Sequence, residues 1–153
     1  MADYFTNFSL ILDLPDETAQ KYALDLAREA ADIRFDDQQE LRDDFPASLV
    51  DVLEIWHFET EAQGSHEQGK YGIWMHSSEG GIDAVCAFIQ HLLGKFNPGG
   101  YVGFEWSCDC SKPRTDAYGG GAAFITADEI KYITTAEWLQ QQTNSREQSP
   151  SGS

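Results

Sequence analysis

The residues best placed to do chemistry lie between Tyr101 and Thr126. Cys108-Asp109-Cys110 is followed by Lys112, Arg114, Asp116 and Tyr118, and then by the glycine triplet Gly119-Gly120-Gly121. Two cations and a run of glycines are the ingredients of an anion site, because backbone N–H groups can close on a phosphate where no Cβ intervenes. The ending Gly-Lys-Ser/Thr of a P-loop and the G-x-G-x-x-G of a dinucleotide fold are both missing. The structural reading of the triplet is a strand that a neighbouring backbone or a Trp ring approaches closely. Cys-x-Cys supplies two thiols where zinc wants four ligands, and His57, His66, His76 and His91 show no matching spacing. His57 and His76 become neighbours if the strands carrying them pair. In an extended strand Cys108 and Cys110 point the same way, which suits packing better than a disulfide. Cys110 as a nucleophile would need a base beside it, and the chain itself places none there.

The paired carboxylates Asp16-Glu17, Asp43-Asp44 and Asp128-Glu129 read as caps and turns. A general acid needs one of them desolvated. The acidic stretch from Arg34 to Asp44 lacks the Asp-x-Asp-x-Asp-Gly spacing of a calcium loop and reads as a surface loop. Ser77 to Gly81, before a helix, is a second candidate anion site.

Elements that would position these residues follow from periodicity. Phe8, Leu10, Leu12 and Leu14 alternate with Ser9, Ile11 and Asp13, predicting a central strand over about Tyr4 to Leu14. Ala19, Tyr22, Ala23, Leu26, Ala27, Ala30 and Ile33 recur at helical spacing, with Asp16 and Glu17 at the positive end. Pro46 opens a short helix carrying Leu49, Val50 and Leu53. Ile55 to Glu61 and Tyr71 to His76 read as a strand hairpin. Ile82, Val85, Cys86, Ile89, Leu92, Leu93 and Phe96 form one face of a second long helix, ended by Asn97-Pro98-Gly99-Gly100. Strands follow over Tyr101 to Ser107, Gly121 to Thr126 and Ile130 to Thr134. Thr134-x-x-Glu137 is a capping box for a short helix bearing Trp138 and Leu139. Residues 1–139 thus form one α+β domain, and the Gln/Ser-rich residues 140–153 read as a disordered tail.

The element order predicts a ferredoxin-like split βαβ sandwich, an antiparallel sheet with two helices on one face, extended by a C-terminal hairpin and short helix. The other face would carry either Tyr101, Gly103 and Glu105 or Val102, Phe104 and Trp106. Either set leaves aromatic rings without a helical cover, open to a partner or to a second copy as a homodimer.

Totals narrow the function classes. The 153 residues carry 26 acidic against 10 basic side chains, a formal net charge of -16. Such a surface repels phosphate backbones and anionic lipid, so no direct nucleic-acid binding and no membrane association are expected, and a basic partner is favoured. No secretory segment opens the chain and no apolar run approaches a membrane span. Three cysteines are an odd number, which fits reduced thiols in a cytoplasmic protein.

The segment Trp106…Cys110-Ser-Lys-Pro-Arg114…Tyr118-Gly-Gly-Gly-Ala122, with Ile125-Thr126 and the earlier Gly72-Ile-Trp-Met-His76, resembles small uncharacterised proteins encoded by bacteria, plasmids and phages. The resemblance spans most of Phe58 to Leu139 and is weak in the first third. Cys108 departs from the shared pattern. What the resemblance implies is an intracellular accessory of mobile elements, and it carries no activity. Together these readings point to a non-enzymatic acidic binding or modulator protein, such as a phage- or plasmid-borne inhibitor of a basic, nucleic-acid-handling host protein. The candidate partner-binding residues are Trp106, Cys110, Lys112, Arg114, Asp116, Tyr118, Gly119, Gly120 and Gly121, with no cofactor. The alternative is a small-molecule or nucleotide site at Lys112–Gly121.

Overall fold

The computed structural model describes residues 4–35, 45–111 and 118–147. In chain order the elements are β1 (Tyr4–Leu14), α1 (Glu17–Phe35), α2 (Ala47–Val50), a 3-10 turn (Leu53–Ile55), β2 (Glu59–Gln63), a second 3-10 turn (His66–Gln68), β3 (Tyr71–Ser77), α3 (Ile82–Phe96), β4 (Tyr101–Cys110), β5 (Gly119–Thr126), β6 (Ile130–Thr134) and α4 (Thr135–Glu147). The protein is α+β. Its six strands form one sheet in the order β2-β3-β1-β4-β5-β6, and every neighbouring pair is antiparallel.

Alternation along β1 decides which side is covered. Phe8, Leu12 and Leu14 are buried, while Ile11 between them is 52% exposed. Register carries the same split across the sheet: Leu12 pairs with Ile73 and Leu10 with Met75 on the covered side. Phe104, Ala123 and Ile125 continue it. Against this side lie the alanines of α1, Ala19, Ala23, Ala27 and Ala30, and the apolar face of α3, Val85, Phe88, Ile89 and Leu92. Small alanines let α1 approach the strands closely. Each fully buried Phe or Leu on α3 stabilises the fold by about 1.5–3 kcal/mol.

Local chemistry fixes the helix ends. The Asp16 carboxylate accepts the Ala19 N–H at 2.8 Å, capping α1. Before α3, Gly80 and Gly81 have φ of 88° and 82°. A Cβ on Gly81 would come within 3.0 Å of the Ile55 carbonyl oxygen, so a side chain there is excluded twice over.

One buried polar side chain ties α1 to the β2–β3 hairpin. Gln20, 4% exposed, donates from Nε2 to the Gly72 carbonyl at 2.9 Å. Its Oε1 lies 2.8 Å from His66 Nε2. An amide oxygen only accepts, so His66 carries its proton on Nε2.

Several expectations are corrected. Ile55 to Glu61 is not one strand: a 3-10 turn precedes β2, which begins at Glu59. Trp56 and Phe58, 2% and 6% exposed, are buried by packing with Phe88 rather than by sheet alternation. β4 runs on to Cys110, and β5 begins at Gly119, so the glycine triplet belongs to a strand. The terminal helix does not stop at Leu139 but extends to Glu147, which moves the start of any tail past the expected boundary at residue 140. Thr134 Oγ1 caps it by accepting the Glu137 N–H at 3.0 Å. Bonds one turn apart, Gln140 to Asn144 and Thr143 to the Leu139 carbonyl, carry it onward. Residues 36–44, most of the acidic loop, lie outside the described residues.

Candidate functional site

The odd-numbered side of β4 is the one that no helix among the described residues covers. Tyr101, Gly103, Glu105, Ser107 and Asp109 are exposed, whereas Phe104 is buried and Val102 and Trp106 are half-buried beneath the helices. Register extends this open side in rows. Ser107 sits between Asn7 and Gly120. Glu105 pairs with Ala122, which pairs with Ile133. Gly103 pairs with Phe124, and Tyr101 stacks on Phe124 with ring centroids 5.4 Å apart. Phe5, Ile11, Tyr101, Phe124 and Ile133 are all exposed here.

Small side chains hollow this side along β5. Gly120 and Ala122 stand where neighbouring rows carry Ser107, Glu105 and Ile133, leaving a cavity of about 630 Å³. Its walls are Asn7, Glu105, Ser107, the glycine strand, and Trp138 with Thr135 at the start of α4. A second cavity of about 650 Å³ adjoins it, sharing Glu105, Ala122 and Ile133 and reaching Gly103 and Phe124. Together they form one trough, with Glu105 midway.

The triplet is explained by close approach. On Gly121 a Cβ would collide with the Trp106 indole and reach within 2.6 Å of the Ile133 carbonyl oxygen; on Gly120 it would collide with the Trp106 carbonyl. Gly120 also donates its N–H to Thr135 Oγ1 at 3.1 Å, fastening α4 to the sheet. The anion-cradle reading loses a donor here, since that N–H is already engaged.

Of the residues singled out in the sequence, Trp106, Gly119, Gly120 and Gly121 line the first cavity. Tyr118 is exposed at the mouth of β5. Cys110 is half-buried at the far end of β4, paired with Tyr4 and two residues from Cys108, whose Sγ is 3.8 Å from Thr6 Oγ1. Lys112, Arg114 and Asp116 lie outside the described residues. Glu105, Ile133 and Trp138 complete the site. Alternation within β4 offered Glu105 as one of two choices, but only the register puts Ile133 in its row, and only the packing of α4 brings Trp138 to the same cavity.

The other candidate positions are occupied structurally. Ser77 Oγ donates to the His57 carbonyl and accepts the Glu79 N–H, and the Gly80 N–H bonds the Thr6 carbonyl. The stretch before α3 is thereby stapled to β1 rather than free for an anion. His57 and His76 do line one cavity, of about 570 Å³. His76 stacks on Trp74 at 4.0 Å and faces Glu59 and Glu61 at 3.7 and 3.6 Å. Among the described residues no group of three His, Cys, Asp or Glu side chains is arranged to hold a metal ion.

Among the described residues burial perturbs three groups. Desolvation raises the Cys86 thiol to about 11, opposed by its hydrogen bond with Tyr132 and aided by Asp83. The Tyr132 hydroxyl is pushed above its usual range by desolvation first, then by Cys86 and Asp83. Desolvation, then the Lys95 charge, lowers His91. Cys86 and His91 lie on α3 and line neither lobe of the trough, while Tyr132, which borders the second lobe, is hydrogen-bonded to Cys86. No helix among the described residues is long and apolar enough to cross a membrane. Compared with known protein families, curated proteins and solved structures, the chain matches none of them.

Proposed function

We propose that this is a non-enzymatic acidic binding or modulator protein whose open sheet face engages a basic partner. The observation that carries the reading is apolar surface left in water on one face of a charged body. Phe5, Ile11, Tyr101, Phe124 and Ile133 share that face with the trough. α4 adds to it: thirteen residues long, it buries none of them, and Trp138 and Leu139 are 51% and 59% exposed. A helix this short is marginal by itself, so a partner that covers it would stabilise it. A net charge of -16 selects a basic partner by steering and by repelling acidic ones. A nucleic-acid-handling host protein, targeted in the cytoplasm by a phage- or plasmid-borne inhibitor, fits that chemistry.

The order β2-β3-β1-β4 with α1 and α3 on one side supports reading the first four strands as a ferredoxin-like split βαβ unit, extended by β5, β6 and α4. The alternative function, a small-molecule or nucleotide site at Lys112–Gly121, draws support from the trough's ligand-sized volume. Among the described residues the one charged side chain lining the first cavity is Glu105, which disfavours phosphate.

Affinity capture from bacterial lysate at low and high salt tests the proposal. The expected result is a basic protein held at low salt and released by high salt. Retention of no protein at either salt, or a partner indifferent to salt, would contradict it.

A further inference from the structure

We infer that the trough receives a basic amphipathic helix of the partner, with a cationic side chain against Glu105 and an apolar anchor in each lobe. This deepens the proposed function and rests on it for the existence of a basic partner.

Three observations select this occupant. The first is charge. Among the described residues Glu105 is the sole charged one lining the lobe beside Trp138, and it has no ion-pair partner among them. The second lobe also carries Lys131, but Glu129 lies 3.7 Å from its Nζ. Among the described residues the trough therefore presents one uncompensated carboxylate at its centre. The second is the flanking apolar surface: Trp138 and Ile133 bound one lobe, Phe124 and Ile133 the other. An organic cation with aliphatic arms satisfies both, since a guanidinium pairs with the carboxylate while its neighbours enter the lobes.

The third is length and shape. Gly120 and Phe124 mark the two lobes and lie four residues apart on β5, or roughly 14 Å at the rise of a strand. On a helix that distance is two to three turns. The opposite side of this sheet is already covered by helices α1 and α3. The hollow made by Gly120 and Ala122 gives the open side a groove for a third. Apolar anchors two to three turns apart, with an arginine or lysine between them on the same face, are the matching pattern.

The test uses the full chain and a synthetic peptide of about 18 residues, long enough to fold on docking. It carries a leucine stripe at helical spacing with arginines on the same side. Controls are a scrambled peptide of equal composition and one with glutamate for each arginine. Amide chemical-shift mapping at low salt should move Glu105, Ala122, Phe124, Ile133 and the Trp138 indole. Glu105→Gln should weaken binding about two- to fivefold, as for a partly exposed ion pair. Glu67→Gln, an exposed acid on the distant hairpin, should leave it unchanged. Ala122→Phe fills the hollow and should weaken binding more than Glu105→Gln does.

Equal effects of the two Glu→Gln changes would overturn the inference. So would ordered and scrambled peptides that bind alike and shift residues elsewhere on the open face, although the basic-partner reading would then survive. Equal binding of the glutamate peptide, or no shift with any peptide up to about 1 mM, would remove both.

Discussion

Substituting Gly121 with alanine adds one methyl group at the most crowded point of the sheet. The new carbon would strike the Trp106 indole, with Cε2 at 2.7 Å, and the Ile133 carbonyl oxygen at 2.6 Å. The indole can tilt, because Trp106 is only half-buried. The carbonyl cannot move without disturbing the β5–β6 pairing of Gly121 with Thr134. Overpacking of this kind costs about 1–3 kcal/mol. Alanine also restricts the unfolded chain, which returns about 0.4–1 kcal/mol. The net expectation is a loss of about 1–2 kcal/mol, read in urea as a midpoint lower by on the order of 0.5–1 M. Gly94→Ala is the internal control. Gly94 lies in α3, and a methyl group there would meet no atom within 4 Å, so the change should gain about 0.5–1 kcal/mol. Trp106→Leu in the Gly121→Ala background should recover part of the loss, and a double-mutant cycle would report the coupling. A Gly121→Ala protein as stable as the parent would refute the close approach. It would return the triplet to the ligand-cradle reading.

Gln20→Ala should cost about 1–3 kcal/mol in denaturant unfolding, because the Gly72 carbonyl and His66 both lose a buried partner. Trp138→Ala should change stability by less than about 0.5 kcal/mol, since the side chain is half exposed, yet weaken capture of the basic partner. His91 has its pKa lowered in the fold, so the unfolded chain takes up the proton first as pH falls through 6.5. Its contribution is therefore full above that pH and lost below it, and melting curves of the parent against His91→Gln across that window should diverge on the acid side. Cys86, raised from 9.0 to about 11, binds its proton more tightly folded than unfolded. Its contribution is full below pH 9.0 and is lost as the pH rises toward 11, so alkaline unfolding should be less steep in Cys86→Ala.

Much of the scaffold was readable in the chain because its signals are local. The alternation of Phe8 to Leu14 and the helical spacing of Ala19 to Ile33 and Ile82 to Phe96 needed no knowledge of neighbours. Trp56 and Phe58 misled because two large apolar residues spaced by two mimic a strand, while their burial comes from α3. The length of α4 was hidden because its composition is that of a solvated tail; its bonds are side chain to side chain or backbone, one turn apart. The triplet was legible as a close approach, since only glycine tolerates an indole and a carbonyl at van der Waals range. The trough was not. It depends on which rows Glu105, Ala122 and Ile133 share, and one residue of slip would have turned every one of them to the other side.

Oxidative footprinting of the free protein and of its complex with the captured basic partner tests the central claim most directly. The account predicts that Tyr101, Phe124 and Trp138 are labelled in the free protein and protected in the complex, while Tyr22 on α1 changes little. Rings on the open face already protected in the free monomer, or protection confined to α1 and α3, would contradict it.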